Sequence, residues 1–443
     1  GTPADYGRLL NEAYSAIKAI DPHATVAAAG TSGVDRGWYR QMLTADETTL
    51  DVLAVHPYRQ PAAPERGVLA DLVNFRLEMC DLLQSDSEYP LWITEMGYHT
   101  SADRAVPEHR QAQYVVRAMV EAWAAGVSRF FWYEFADGHQ NAADPEANFG
   151  LVYHDRSPKP ALVAYATLER QLGQATYQGR LLHTDRRIRA YLFDTPSGPV
   201  VATWSLSGVA EISWPDEGSS AAAVLTTDLF GRQQVLVPTS GQYRVSITEN
   251  PQYVQLGTIE LLLTSPDIRL TDNPLETGAD VASPMAVNLV QNPSFEITNS
   301  RGLPADWQVQ IAGGAQFTYE HVAPNRTTPV SCMRLTNATP LKGHVFGRIY
   351  QSIPVQPFSV YTVSALVRTR SNQRAWIGGG PDWAVRIALP VDTNGQWQRV
   401  HCVITTYDET EWPLMILLED IDELVEVTDV RFVEGIEPSS GEQ

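Results

Sequence analysis

The chain has 443 residues, of which 44% are hydrophobic, enough for about two to four domains with apolar cores. Its 52 acidic residues outnumber its 32 basic residues, and the formal net charge of −20 repels nucleic-acid phosphates and anionic membrane surfaces. No segment approaches the roughly 18 apolar residues that a membrane-spanning helix requires. We therefore expect neither nucleic acid nor a membrane as a partner.

The first 175 residues alternate between helical and strand-like patterns. Apolar positions at helical spacing predict an amphipathic helix over residues 4–20, which Asp21 and Pro22 end. Further helices are predicted over residues 37–43, 68–83, 108–125 and 160–172, and strands over residues 25–29, 50–55, 91–94 and 128–135. Strands that alternate with helices of this length are typical of a parallel sheet.

Polar and aromatic residues follow three consecutive predicted strands: His56 and Tyr58, then Glu95, then Trp132, Tyr133 and Glu134. In a parallel barrel the carboxyl ends of the strands meet at the active site. A carboxylate flanked by a phenol and an imidazole, beside an indole, suits glycoside cleavage, because the carboxylate attacks the anomeric carbon while the indole stacks on the sugar. A lone Glu after a strand is also compatible with a solvated loop carboxylate.

Several motifs resemble the carboxyl-terminal half of a clan A glycoside hydrolase barrel, nearest to families thirty-nine and five: DYGRLLNEAYSAIKAIDPHATVAAAG, LDVLAVHPY, PLWITEMG, SRFFWYEFADG, NFGLV and SPKPALVAYATL. By this resemblance, residues 1–175 would form strands five to eight of a (β/α)8 TIM barrel. The resemblance implies a retaining mechanism with Glu95 as the nucleophile after strand seven. It also implies that Tyr58, in a His-x-Tyr motif with His56, hydrogen-bonds the nucleophile and that Trp132 is the platform under the cleaved sugar.

The general acid/base of the clan is a Glu at the end of strand four, and the resemblance places that strand before the first residue of this chain. We therefore expect the amino-terminal half of the barrel to be a partner, as a separate chain or as further sequence. Glu134 is a candidate to bind a sugar hydroxyl or to replace the acid, and a structural ion pair is the alternative for it.

Two all-β regions follow the α/β region. Short alternating runs broken by Gly, Pro and Asp predict a β-sandwich over residues 176–263, which resembles the β-domain that packs on barrels of this clan. The polar, proline-bearing residues 264–285 are predicted to form a linker. A second all-β domain is expected over residues 286–436, before a disordered tail at 437–443.

The second all-β domain contains NLVQNPSFEI, LPADWQV and VEVTDVRFVEG, which resemble jelly-roll carbohydrate-binding modules of families four, nine and twenty-two. The resemblance implies that Glu296 and Asp429 help to hold a structural calcium, while no cofactor is expected for catalysis. Four residues are candidate sugar platforms, with burial in the core as the alternative: Trp376, Trp383, Trp397 and Trp412.

The sequence thus predicts a multidomain α/β and all-β protein: half a TIM barrel, a β-sandwich and a jelly roll. The leading hypothesis is an extracellular or cell-surface retaining glycosidase that cleaves a β-linked polysaccharide or oligosaccharide. The alternative is a non-catalytic carbohydrate-binding or surface polysaccharide protein with a degenerate half barrel.

Overall fold

The chain forms two compact units, residues 1–278 and residues 279–443, in a computed structural model. The structure describes residues 2–45, 49–83, 89–101, 104–216, 224–276, 287–324, 330–340, 345–370, 374–383, 385–419 and 422–436. Within these ranges no helix has both the length and the apolar character needed to cross a membrane. The predicted tail at 437–443 lies outside the described residues.

The first part of unit 1 is an α/β region with a four-stranded parallel sheet in the order β1-β2-β3-β4. Its helices are α1 (Pro3–Ile20), α2 (Arg36–Ala45), α3 (Val68–Leu83), α4 (Glu108–Ala124) and α5 (Pro160–Leu172). Its strands are β1 (Thr31–Ser32), β2 (Leu53–His56), β3 (Leu91–Met96) and β4 (Val127–Trp132). The predicted alternation of helices with four parallel strands is confirmed.

The first strand differs from its prediction. Residues 25–29 pair with the sheet only through a bridge between Ala27 and Val52, and β1 itself begins later, at Thr31. The physical reason is that the Val26 amide donates to the side chain of Asp51, at 2.8 Å, instead of to a neighbouring strand. The apolar run therefore approaches the sheet without forming a regular ladder.

The parallel sheet has two open edges among the described residues, because β1 pairs only with β2 and β4 pairs only with β3. Apolar side chains are exposed at and beyond the β4 edge, with Phe131 49% and Phe135 63% accessible. A closed barrel of eight strands has no such edges. The described residues thus supply a partial barrel.

The second part of unit 1 is antiparallel. Its strands are β5 (Thr176–His183), β6 (Ile188–Thr195), β7 (Gly198–Ser205), β8 (Ala210–Pro215), β9 (Val224–Thr227), β10 (Gln233–Leu236), β11 (Gln242–Ile247), β12 (Gln252–Gln255) and β13 (Ile268–Thr271), with helix α6 (Glu260–Leu263). Seven strands form one sheet in the order β10-β9-β12-β7-β6-β5-β13, and β11 pairs with β8. Their inward side chains form a separate apolar core around Trp214 and Ile247.

The predicted linker at 264–285 is wrong in part, because strand β13 lies within it. Residues 268–271 pair with β5 in the seven-stranded sheet, with Ile268 opposite His183. The physical reason is that this short segment buries Ile268 and Thr271 against the sheet, although polar residues and prolines surround it. Residues 277–285 of the predicted linker lie outside the described residues.

The sandwich docks on helix α4 through buried polar contacts. Arg117 of α4 donates to both carboxylate oxygens of Glu65, at 2.6 and 2.7 Å, and Trp204 of β7 donates to the same carboxylate at 2.7 Å. Tyr191 of β6 donates its hydroxyl to Glu121 of α4 at 3.2 Å. Removing one partner of a buried ion pair costs about 3–5 kcal/mol, because the other charge is left buried without compensation. The partial barrel and the sandwich therefore form one unit.

Glu121 makes the stability of this unit depend on pH. Burial raises the pKa of the Glu121 carboxyl to about 8, and the nearby Glu65 carboxylate adds to the rise. The protonated Glu121 carboxyl contributes its full stabilisation of the folded chain below the pKa of the unfolded state, near 4.5. This contribution is lost as the pH rises through the folded pKa of about 8.

We predict that Glu121→Gln flattens this dependence, because the amide keeps a neutral side chain at every pH. Wild type should lose about 1.4 kcal/mol for each pH unit between the two pKa values, and the variant should not lose this contribution. The measurement is urea unfolding at pH 5, 7 and 9. Parallel losses of stability in the two proteins over this range would contradict the assignment.

Unit 2 is a sandwich of two five-stranded antiparallel sheets, in the orders β14-β17-β22-β19-β20 and β15-β16-β23-β18-β21. Its strands are β14 (Gln308–Ala312), β15 (Phe317–Val322), β16 (Cys332–Asn337), β17 (Phe346–Pro354), β18 (Val360–Arg370), β19 (Ala375–Gly379), β20 (Val385–Ala388), β21 (Gln398–Thr405), β22 (Glu411–Leu418) and β23 (Asp422–Glu434). Trp307 and Trp412 lie in the core between the sheets. The predicted second all-β fold is confirmed.

Candidate active site

Three predicted site residues meet at the carboxyl ends of β2 and β3. These strands are parallel neighbours, so Tyr58, two residues beyond β2, comes beside Glu95 near the end of β3. The Tyr58 hydroxyl donates to Glu95 Oε1 at 2.7 Å. His56 Nδ1 lies 3.8 Å from the other oxygen, Glu95 Oε2, and His56 Nε2 lies 3.0 Å from Thr94 Oγ1. The structure therefore brings together the carboxylate, the phenol and the imidazole.

The Tyr58 phenol is a permanent donor to Glu95. Burial raises the pKa of Tyr58 above its usual range, and the hydrogen bond to the Glu95 carboxylate adds to the rise. A phenol that donates to one oxygen of a carboxylate fixes the orientation of that carboxylate. Because Tyr58 holds Oε1, the second oxygen of Glu95 is left on the side of His56. An oriented, ionised carboxylate is the form that a nucleophile requires.

Trp132 lies one strand further along the sheet. It ends β4 and pairs in register with Met96, the residue after Glu95. Its indole Nε1 donates to the Phe149 carbonyl at 3.4 Å, and its ring stacks on Tyr98 at a centroid distance of 6.3 Å. Trp132 is half-buried. Its role as a sugar platform stays a prediction.

Phe149 is a site residue that the sequence analysis did not single out. Its buried ring contacts three aromatic side chains edge-on: Tyr58 at 6.0 Å, Tyr133 at 5.2 Å and His99 at 5.2 Å. Its carbonyl accepts from the Trp132 indole and from the Glu134 amide. Phe149 thus supports the tyrosine that holds Glu95. It lies in a loop without periodicity, and only its place in the NFGLV motif signalled it.

Two further carboxylates lie beside Tyr133. The Tyr133 hydroxyl donates to Glu146 Oε2 at 3.3 Å. Burial raises the pKa of Glu134, with Asp137 and Glu146 adding to the rise. Lys159, whose charge partly offsets this rise, forms its ion pair with Asp137 at 2.8 Å. A raised carboxyl pKa suits a group that carries a proton, so Glu134 keeps both of its predicted roles.

Gly97 permits the close approach of β3 and β4 at the site. A Cβ at this position would lie 1.7 Å from the Tyr133 carbonyl oxygen and 3.1 Å from the Phe149 ring. The same approach lets the Tyr133 amide donate to the Met96 carbonyl at 3.0 Å. Only glycine fits without moving the strand end that carries Glu95.

We predict that Gly97→Ala destabilises the chain by about 2 to 4 kcal/mol, because backbone atoms must move to admit the methyl group. The matched control is Gly138→Ala, where the nearest atom to the added Cβ is 3.9 Å away. The measurement is the thermal unfolding midpoint, which should fall by about 2–4 °C for each kcal/mol in the first variant only. Equal midpoints would show that the strand ends relax freely.

The predicted calcium ligands lie in unit 2. Val430, next to Asp429, donates to the Pro293 carbonyl at 3.0 Å, so the two predicted segments adjoin. However, the Asp429 carboxylate accepts from the guanidinium of Arg399, and Glu296 is exposed. No group of three or more His, Cys, Asp or Glu side chains in the described ranges is placed to hold a metal. The Asp429 carboxylate thus pairs with Arg399, and calcium binding through Glu296 and Asp429 stays a prediction.

The candidate sugar platforms of unit 2 differ in burial. Trp412 is a core residue, with 2% of its surface exposed. Trp376 and Trp383 are half-buried near the outer side of the β17 sheet, and Trp397 lies under Arg368 at 5.0 Å. Burial in the core thus explains Trp412 alone.

One family of known proteins matches the α/β region of this chain. Residues 4–165 match the family described as glycosyl hydrolase catalytic core. This part of the chain is thus similar to glycoside hydrolases, as the sequence motifs implied. A comparison with curated proteins found no match.

Solved structures give a more distant likeness. A family 39 glycoside hydrolase from Bacteroides cellulosilyticus WH2 is 23% identical, with a TM-score of 0.50 over 57% of this chain and 54% of that chain. The present chain thus spans about half of that relative's length, and the likeness concerns the fold. A GH30 endoxylanase from Clostridium papyrosolvens C71 is 10% identical, with a TM-score of 0.40 over 57% of this chain and 60% of that chain.

A third solved structure covers a smaller share of this chain. The carbohydrate-binding module TmCBM61, solved with β-1,4-galactotriose, is 13% identical, with a TM-score of 0.26 over 34% of this chain and 99% of that chain.

Proposed function

We propose that unit 1 carries the nucleophile side of a retaining glycosidase site, with Glu95 as the nucleophile. The observation that supports this most is the hydrogen bond from the Tyr58 hydroxyl to Glu95 Oε1 at the carboxyl ends of two parallel strands. The match of residues 4–165 to glycosyl hydrolase catalytic cores supports the reaction class.

In the first step, a Glu95 oxygen attacks the anomeric carbon while the glycosidic oxygen leaves with a proton from the general acid. The resulting glycosyl ester is then hydrolysed by water, which gives its proton to the same group acting as a base. Retaining enzymes hold their two carboxyl groups about 5–5.5 Å apart. We assign the acid/base to the missing half of the barrel, with Glu134 as the candidate within this chain.

The partner in this proposal is a set of further βα units that pair with β1 and β4 and close the barrel. Two open edges and the exposed Phe131 support this partner. It belongs either to a separate chain or to further sequence of the same protein. We propose that the substrate is a β-linked polysaccharide or oligosaccharide outside the cell or at its surface, because polymers of this kind do not enter cells intact.

The alternative is a carbohydrate-binding or surface polysaccharide protein whose partial barrel is not catalytic. The half-buried Trp376 and Trp383 on unit 2 support it. The alternative predicts that the chain binds sugar without hydrolysing it. This binding would not depend on Glu95.

The role of Glu95 is tested with Glu95→Ala in the native assembly. We expect hydrolysis of an aryl β-glycoside to fall by about a thousandfold or more, because the nucleophile acts in both chemical steps. Azide should restore turnover and give a glycosyl azide of inverted configuration. The control is Glu12→Gln on the exposed surface of α1. Full activity in the alanine variant would exclude Glu95 as the nucleophile.

The role of Tyr58 is tested with Tyr58→Phe. A lost hydrogen bond to a charged group costs about 1.5–3 kcal/mol, so we expect kcat to fall by about ten- to a hundredfold with little change in KM. The matched control is Tyr14→Phe, which removes a similar hydrogen bond, to Asp51 at 3.0 Å, on another part of the unit. Equal kinetics in the two variants would mean that Tyr58 does not position the nucleophile.

A further inference from the structure

The outer face of one sheet in unit 2 carries an ordered set of aromatic and basic side chains. Along β17 the residues alternate, so that Gly347 and Ile349 point into the core while Phe346, Arg348 and Tyr350 point outward. The strand register sets two neighbouring rows across this face. One row is Gln310, Arg348, Leu417, Trp376 and Ala388, and the next is Gln308, Tyr350, Met415, Gly378 and Arg386.

Arg348 lies at the centre of this face. Its guanidinium carbon is 4.9 Å from the ring centre of Tyr350 and 5.0 Å from that of Trp383, and its Nε donates to Gln310 at 2.8 Å. Burial lowers the pKa of Arg348, because the half-buried guanidinium is partly removed from water, and this disfavours its charged form. Among the described residues, no carboxylate forms an ion pair with it. Arg348 therefore lacks the anion that normally offsets such burial.

Arg386 brings a second cation to the same indole. It lies on β20 with its guanidinium carbon 5.7 Å from the ring centre of Trp383, and its side chain is exposed. It too has no ion-pair partner within the described ranges. The contrast is Arg374, which lies 5.9 Å from Trp376 but pairs with Glu419 at 3.0 Å. Three arginines thus lie against the Trp376 and Trp383 rings, and two of them, Arg348 and Arg386, form no ion pair with a described carboxylate. This occurs in a protein with a net charge of −20.

Gly378 leaves a shallow apolar hollow between these side chains. Its φ is +147°, and a Cβ there would lie 2.3 Å from the Val385 carbonyl oxygen, so a side chain is excluded. The hollow is lined by Trp376, Trp383, Met415, Arg386 and Glu419, among others, and the Glu419 carboxylate pairs with Arg374. An aromatic floor beside amide, phenol and guanidinium groups provides both stacking and hydrogen bonds for a sugar ring.

We propose that this face binds an acidic polysaccharide. One sugar ring packs against the Trp376 and Trp383 side chains that line the hollow, and its carboxylate or sulfate accepts charge-assisted hydrogen bonds from Arg348 and Arg386. Charge complementarity supports this ligand, because two arginines that form no ion pair with a described residue share one face with two indoles. The net charge of −20 opposes long-range attraction of any polyanion, so the local guanidinium and indole contacts must supply the binding. The proposal concerns unit 2 and does not depend on hydrolysis at Glu95.

Affinity electrophoresis of the full chain through gels that contain polygalacturonate, dextran sulfate or neutral xylan tests the proposal. We expect retardation by an acidic polymer, stronger at 50 mM than at 500 mM NaCl, and less by xylan. The first two polymers distinguish a uronate from a sulfate ligand. Arg386→Gln and Arg348→Gln should each weaken this binding about tenfold or more, the loss of one charge-assisted hydrogen bond. The control is Arg301→Gln, an equal loss of charge on an exposed turn of the same unit.

Arg386 is exposed, so its variant keeps the fold even if Arg348→Gln does not. Three results would overturn the proposal: no retardation by either acidic polymer, equal retardation by xylan, or Arg386→Gln binding as tightly as Arg301→Gln. Retention by single-stranded DNA that equals retention by the acidic polymers would also overturn it, in favour of a general polyanion site.

Discussion

The hydrogen bond between Tyr58 and Glu95 is the interaction on which the candidate active site depends, and it exists because β2 and β3 are parallel and adjacent. Parallel strands end at the same edge of a sheet, so residues 37 positions apart in the chain meet there. Phe149 then packs against Tyr58 from the loop after β4, and Gly97 lets β3 and β4 approach. These contacts position Tyr58 and the strand end that carries Glu95.

The antiparallel part of unit 1 supports the parallel sheet through helix α4. The sandwich contacts α4 through the buried Glu65, Arg117 and Trp204, so it braces the helix between β3 and β4. Its seven-stranded sheet has its own core, and no described strand pairs with the outer edges of β1 and β4 in the partial barrel. A stable support with open strand edges is the arrangement that a barrel completed by further βα units requires.

The sequence predicts the α/β alternation and the convergence of His56, Tyr58 and Glu95, because buried parallel strands are continuous apolar runs and their ends are where polar residues appear. It does not reveal Phe149 or Glu146, which lie in a loop without periodicity. Strand β13 was wrongly included in a linker because only four residues pair, among polar neighbours. The Arg348, Arg386 and Trp383 cluster depends on strand register across one sheet, which composition and spacing do not determine.

The measurement that tests the central claim most directly is covalent labelling of the native assembly with a 2-fluoro β-glycoside, followed by intact mass spectrometry and peptide mapping. Fluorine at carbon 2 slows both chemical steps, and an activated leaving group such as 2,4-dinitrophenolate keeps the first step fast, so a retaining enzyme accumulates the glycosyl ester. The account predicts one label per chain, on Glu95 in the peptide that contains LWITEMG. A label on a different carboxylate, or turnover of the reagent without any covalent label, would contradict it.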